Sequence, residues 1–269
     1  MDFLYRIPAA LLLVTVLAIA IALAGLGQTY VHRRFREGDF VGHNEVGGII
    51  IAVSGTIYAV ILGFLTVVAW EHFQEARNLV VLESDADIDV WHAAIGLPGP
   101  VRNRVRSDMM AYADTMIARE WPAMKEGRFD QHTSMIGMDA INAVGSFVPA
   151  NNGETNAQAT AMQQLTIIHD ARQQRMAINA SGISWFEWLV LGVGGMCIVC
   201  FCWLFGLRNP RTHLLMTSTV VTMIASILVL LFELQYPFRS DIGIGPDLWK
   251  GALAHLHQMQ NGDMEGMRM

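Results

Sequence analysis

The sequence has little charge, and what it has is unevenly placed. Only 16% of its 269 residues are Asp, Glu, Lys or Arg, against about a quarter in an ordinary soluble domain. Four stretches carry none of these residues: Ile7 to Val31, Val46 to Trp70, Trp188 to Leu207 and Thr212 to Phe232. The remaining positions then have an ordinary charge density, so a single soluble globule is excluded. Cysteine is scarce as well. Cys197, Cys200 and Cys202 all lie in the third uncharged stretch, where the C-x-x-C spelled by Cys197 and Cys200 lacks the turn and charged support of a zinc or redox site and reads as packing. No disulfide framework exists, and the redox compartment does not follow from the cysteines. The sequence has no Gly-rich phosphate loop after a strand, no H-E-x-x-H pair and no Gly-x-Ser-x-Gly elbow, so we expect no enzyme and no cofactor. The absence of a basic stripe argues against a nucleic-acid partner.

What is present is apolar length. A bilayer core about 30 Å thick is crossed by roughly 20 apolar residues in a helix that pairs its own backbone groups. All four uncharged stretches meet that length, which predicts four transmembrane helices in the lipid bilayer. The first has a competing reading as a secretory signal, because Ala22-Leu23-Ala24 resembles a cleavage site. Against it, Asp2 offsets Arg6, the apolar run is too long, and His32-Arg33-Arg34-Phe35-Arg36 reads as a stop-transfer flank. Four spans put the N-terminus, residues 71–182 and the C-terminal tail on one side. Arg33, Arg34, Arg36, Arg208 and Arg211 in the short loops point those loops to the cytoplasm. Arg6, Arg77, Arg172, Arg175, Arg239 and Lys250 answer from the other side, so charge alone leaves the orientation open. We expect a multi-pass protein of the inner (plasma) membrane.

Residues 71–182 hold 14 acidic and 9 basic residues, which is nearly the whole formal net charge of −6. Their apolar spacing is helical. A rod running on from the second span to Ile95 is stopped by Gly96-Leu97-Pro98-Gly99-Pro100. A second helix follows, with Val101, Val105, Met109, Tyr112 and Met116 at spacings of three and four, ending near Trp121-Pro122. A third is predicted over Met135 to Val148, capped by Thr133 or Ser134, and a fourth over Ala157 to Ala180. The fold class is therefore all-α: four transmembrane helices with an extramembrane helical bundle inserted between helices 2 and 3. The expected division is 1–70, 71–182, 183–236 and a C-terminal tail, 237–269.

The second span is the most informative. Gly48, Ala52, Gly55, Ala59, Gly63, Thr66 and Trp70 recur at spacings of three or four, which lays small residues along one face. Such a face serves tight helix packing, within or between subunits, or lines a pore; the two are compatible around an axis. Glu71 and Glu75, one turn apart just beyond it, would form acidic rings at a pore mouth in an oligomer. Alternatively they form a plain solvated juxtamembrane face, and pairing with Arg77 or with Arg172 and Arg175 from the neighbouring helix would also neutralise them. Glu187 and Glu233 read as structural residues near the membrane interface, and Trp185, Trp188 and Trp203 as interfacial anchors. The tail residues His255, His257 and Met259, with Met264, Met267 and Met269, make a weak copper candidate without a defining spacing.

Asn44, Gly48, Gly55 and the run Tyr58 to Phe64, followed by Trp70, Ala76, Val80 and Glu83, carry a family resemblance. Tyr112, Glu120-Trp121, Arg172, Arg175 and Pro237-Phe238 continue it in order. Over residues 40–249 the chain resembles the bestrophin-like domain family of bacterial and plant membrane proteins. One departure is Ser240, where the family's Pro-Phe-x-Gly would put glycine. Through the distant likeness to bestrophins, pentameric anion channels, the resemblance implies a homo-oligomer that passes an ion. The second helix would line the pore and the long helices would build a vestibule. Anion selectivity does not carry over, because Glu71 and Glu75 would oppose it, and no calcium clasp is recognisable. The alternative is a non-conducting scaffold or sensor that oligomerises through its membrane helices and binds a partner through the bundle.

Overall fold

The computed structural model describes residues 4–34, 44–205 and 209–266. Every regular element among the described residues is helical. A 3-10 turn, Leu4–Arg6, precedes α1 (Ala9–Arg34). Then come α2 (Asn44–Ala93), a 3-10 turn at Ala94–Gly96, and α3 (Gly99–Thr115). A π-helical turn, Met116–Glu120, leads into α4 (Trp121–Lys125). The rest are α5 (Gln131–Gly145), α6 (Asn152–Ala180), α7 (Trp185–Trp203), α8 (Pro210–Leu234) and α9 (Asp247–Gly266). Helices α1, α2, α7 and α8 are long and apolar enough to cross a membrane.

The chain forms two compact units, with α2 running from the first into the second. The first comprises residues 1–72, 182–235 and 240–242. In it α1 packs on α8 and α7, and α7 packs on α8. Most of its apolar side chains, such as Leu11, Ile19, Ile49, Phe64, Val193 and Leu215, remain exposed, as expected of helices whose solvent is lipid. Specific contacts hold one end together. Tyr5 stacks on Phe232 at 4.4 Å and donates to its carbonyl at 2.8 Å. Gln235 donates to Tyr5 Oη at 2.9 Å and accepts from Trp188 Nε1 at 3.2 Å. Helix α7 opens on a capping box, with Ser184 and Glu187 exchanging backbone and side-chain bonds. Glu187 is thus structural, as the sequence suggests. Trp185 is exposed, Trp203 lies across Gly27, and Glu233 is buried.

The second unit, residues 73–181, 236–239 and 243–269, is a helical bundle with a continuous core. Val80, Val90, Trp91, Met109, Tyr112, Trp121, Leu165, Phe238, Trp249 and Leu256 meet there. Several boundaries differ from the sequence reading. Helix α5 begins at Gln131 because Asp130, not Thr133 or Ser134, is its N-cap: Thr133 N–H donates to Asp130 Oδ2 at 3.0 Å. Helix α6 begins at Asn152 because Asn151 caps it. Pro122 does not end its helix. The preceding π turn, with Trp121 N–H donating to Met116 carbonyl, lets the chain continue through a residue that has no N–H of its own. The stretch set apart as a tail carries α9, whose Trp249, Ala252 and Leu256 are core residues.

Candidate functional site

Two arrangements hold the residues that the sequence singles out, one in each unit. In the second unit a charge cluster lies inside the bundle. Its origin is legible in the spacing of α2, where Ala76, Val80, Glu83, Asp87 and Val90 share the buried face. Glu83 and Arg175, both fully buried, form a bidentate pair, with Nε to Oε2 at 2.8 Å and Nη2 to Oε1 at 3.2 Å. Tyr112 Oη–H donates to Glu83 Oε1 at 2.7 Å. One turn before Arg175 on α6, Arg172 holds Glu120 through Nε at 3.1 Å and Nη2 at 3.2 Å. Arg172 also donates to the carbonyl of Asp130 at 3.0 Å, while Asp130 N–H donates to Glu120 Oε2 at 2.7 Å. Arg175 Nη2 reaches Glu120 Oε1 at 3.8 Å, which links the two pairs. The guanidinium of Arg175 also lies over the Trp121 ring at 5.5 Å and against the thioethers of Met116 and Met124.

The electrostatics follow from burial and pairing. Burial alone would lower the titration of Arg175, but the charge and hydrogen bonds of Glu83, with Tyr112 and Glu120 beyond, push it up. Burial first, and then the charge of Glu83, push the Tyr112 phenol well above its ordinary value. The cluster is thus a set of mutually paired carboxylate and guanidinium groups with a phenol bonded to one of them, drawn from several helices that it ties together. The expectation that Arg172 and Arg175 could neutralise Glu71 and Glu75 is corrected here, since both arginines are already engaged by Glu120 and Glu83.

The first unit contains the apolar part of α2. Tyr58, Leu62 and Ala69 are its buried residues. Tyr58 donates to the carbonyl of Leu191 at 3.1 Å, and its ring lies so close to Gly194 that a Cβ there would stand 2.6 Å from it. The small-residue face points elsewhere. At Gly48, Gly55 and Gly63 an added Cβ would meet nothing within 4 Å, and Ala52 and Ala59 are exposed. Thr66 is half-buried, its hydroxyl bonded to the Leu62 carbonyl of its own helix at 2.8 Å. Trp70 is half-exposed, and Asn44 is partly buried at the start of the helix. Glu71 and Glu75 are both exposed, and neither has a salt bridge among the described residues.

The sequence of the bestrophin-like domain matches residues 16–248. This chain belongs to the bestrophin-like domain family. Solved structures agree on the fold. A mutant of a bacterial bestrophin homologue from Klebsiella pneumoniae matches with a TM-score of 0.70 at 16% identity, over 91% of this chain and 98% of that one. A structure described as a membrane protein matches with a TM-score of 0.71 at 16% identity, over 90% and 98%. No curated protein matches the sequence. The bestrophin-like motif residues sort by unit: Gly48, Gly55 and Tyr58 belong to the first, and Glu83, Tyr112, Glu120, Arg172 and Arg175 to the cluster of the second. Pro237 and Phe238 join the second, where Phe238 meets the Trp121 ring edge-on at 5.7 Å and the Pro237 carbonyl accepts from Ile244 N–H at 2.7 Å. Ser240 in place of the bestrophin-like glycine is tolerated, because no described residue other than glycine has a positive φ.

The weak copper candidate gains nothing from the fold. His255 and His257 are exposed two positions apart on α9, hence on different sides of a helix, and Met259 packs toward the core. His257 Nδ1 lies 2.9 Å from the Leu253 carbonyl. No group of three or more His, Cys, Asp or Glu suited to a metal occurs among the described residues. Arg36, Arg208, Met267 and Met269 lie outside the described residues, as does the side chain of Met264. One residue that sequence reasoning passed over is Asp87. Its signal was present, since it stands one turn from Glu83 on a face of Ala and Val.

Proposed function

We propose that the protein is an oligomeric ion channel of the inner membrane, a pentamer by family analogy, in which α2 lines the conduction path. The observation that carries this reading is the face of α2 on which Gly48, Gly55 and Gly63 meet no other part of their own chain. Such a face is available to other subunits around an axis, and small side chains leave room for an ion path. The helix continues past Trp70 into exposed Glu71 and Glu75. Repeated around an axis, these carboxylates would concentrate cations at the mouth.

Purified protein in liposomes tests the reading. Cation flux above that of empty liposomes is expected, with Glu71→Gln and Glu75→Gln together lowering the preference for cations over anions. Leucine at position 55 or 63 should change conductance in oligomers that still assemble. An inert wild type whose assembly is abolished by the same leucines would instead make α2 an oligomerisation helix of a non-conducting scaffold.

A further inference from the structure

Two carboxylates lie one turn apart on the buried face of α2, and both are fully buried. Their surroundings differ. Glu83 accepts from Arg175 and Tyr112. Neither carboxylate oxygen of Asp87 has a hydrogen-bond partner among the described residues. An ionised carboxylate held that way faces a large desolvation cost, and binding a proton removes the charge.

Among the described residues, no group on the surrounding elements forms an ion pair with it. On its own helix stands Glu83, which opposes a second negative charge. On α3, Tyr112 is bonded to Glu83 and Arg106 lies over the Trp91 ring at 4.7 Å, while Asp108 is held by Arg104 at 2.9 Å. On α6, Arg175 serves Glu83 and Arg172 serves Glu120. Helix α9 brings Trp249, which is uncharged, buried and without a partner for its indole N–H. Its titratable groups Asp247, Lys250, His255 and His257 are exposed.

We propose that Asp87 is a proton-binding site: the bundle folds around it as a neutral carboxylic acid, and loss of that proton loosens α2 from its neighbours. Burial, and then the charge of Glu83, push its titration well above the usual carboxylate range. The sign follows from linkage. Below the unfolded value, about 3.9, both states hold the proton. Above it the unfolded chain ionises while the folded bundle does not, so stability falls with rising pH up to the folded value and is then level. Once ionised, Asp87 is a second buried negative charge one turn from Glu83 with no partner of its own, and the cost is relieved by separating α2 from α3 and α6. The bundle thereby becomes sensitive to pH whether or not the protein conducts.

The test uses the full chain in lipid nanodiscs. Between about pH 5 and the folded value, the Tm of the wild type should fall by about 3–5 °C per pH unit. Asp87→Asn, which keeps the shape and removes the ionisation, should flatten that fall and unfold at a higher temperature at the alkaline end. Infrared spectra of protein with isotope-labelled aspartate should show a protonated-carboxyl stretch at neutral pH that survives Asp108→Asn and is missing from Asp87→Asn. A variant profile parallel to that of the wild type would overturn the proposal. So would the absence of the stretch from wild type, or its loss in Asp108→Asn, and these readings decide the matter even if Asp87→Asn does not fold.

Discussion

Arg175 shows what a single side chain can fix. It sits fully buried among Glu83, Glu120, Tyr112, Trp121 and two thioethers, with its Nε–H and Nη2–H donating to Glu83, its Nη groups against Met116 and Met124 and its flat face over Trp121. A buried pair of this kind is weak evidence of net stabilisation, because both ions left water to form it. Breaking it is another matter. Glu83→Ala should leave the guanidinium without its main counter-charge and lower the unfolding free energy by about 3–5 kcal/mol. Arg175→Met, which leaves Glu83 its bond from Tyr112 and can take up a proton burden at the carboxylate, should cost less. Chemical unfolding of the two variants in matched detergent checks the order. Equal losses would show that the cluster acts through packing rather than charge.

The helices are set by their ends as much as by their faces. Helix α5 starts where Asp130 accepts from both the N–H and the hydroxyl of Thr133. Burial pushes Asp130 up, but those two bonds and the charge of Arg119 outweigh it and hold the carboxyl below its usual range. Asp130→Ala should therefore cost about 1 kcal/mol at neutral pH. Because the folded value is the lower one, this contribution is complete above about pH 4 and is lost as pH falls through the folded value. The difference in Tm between wild type and variant should close on acidification. A gap unchanged at acid pH would assign the loss to something other than the cap. Among the membrane helices, α2 leaves most of its surface uncovered, since Tyr58, Leu62 and Ala69 are the buried residues of its apolar part.

At the scale of the whole molecule, composition divides the chain. The first unit is built of helices many of whose apolar side chains stay exposed, and the second has a buried apolar core into which a few charged side chains are also drawn. The C-terminal residues belong to that core. Trp249 is fully buried and meets the Tyr112 ring at 5.7 Å. Trp249→Ala should cost about 3–5 kcal/mol, with the cavity adding to the lost transfer energy. Limited proteolysis would report it as early cleavage within the second unit. A variant as resistant as wild type would mean that α9 is an appendage.

The four membrane helices and the helical character of the rest follow from local sequence, because long uncharged runs and apolar spacing are properties that bilayer thickness and helix geometry translate directly. The sequence also carried the family, through short motifs whose order survives at low identity. The third helix of the bundle was misplaced at its start because aspartate, threonine and serine are all acceptable caps, and only the donor that reaches one of them decides. The roles of Arg172 and Arg175 could not be read from spacing, since their partners Glu120 and Glu83 lie 52 and 92 residues away. Nor could the difference between Glu83 and Asp87, two acids on one face. Tertiary structure alone brought an arginine to the first and, among the described residues, left the second without a partner.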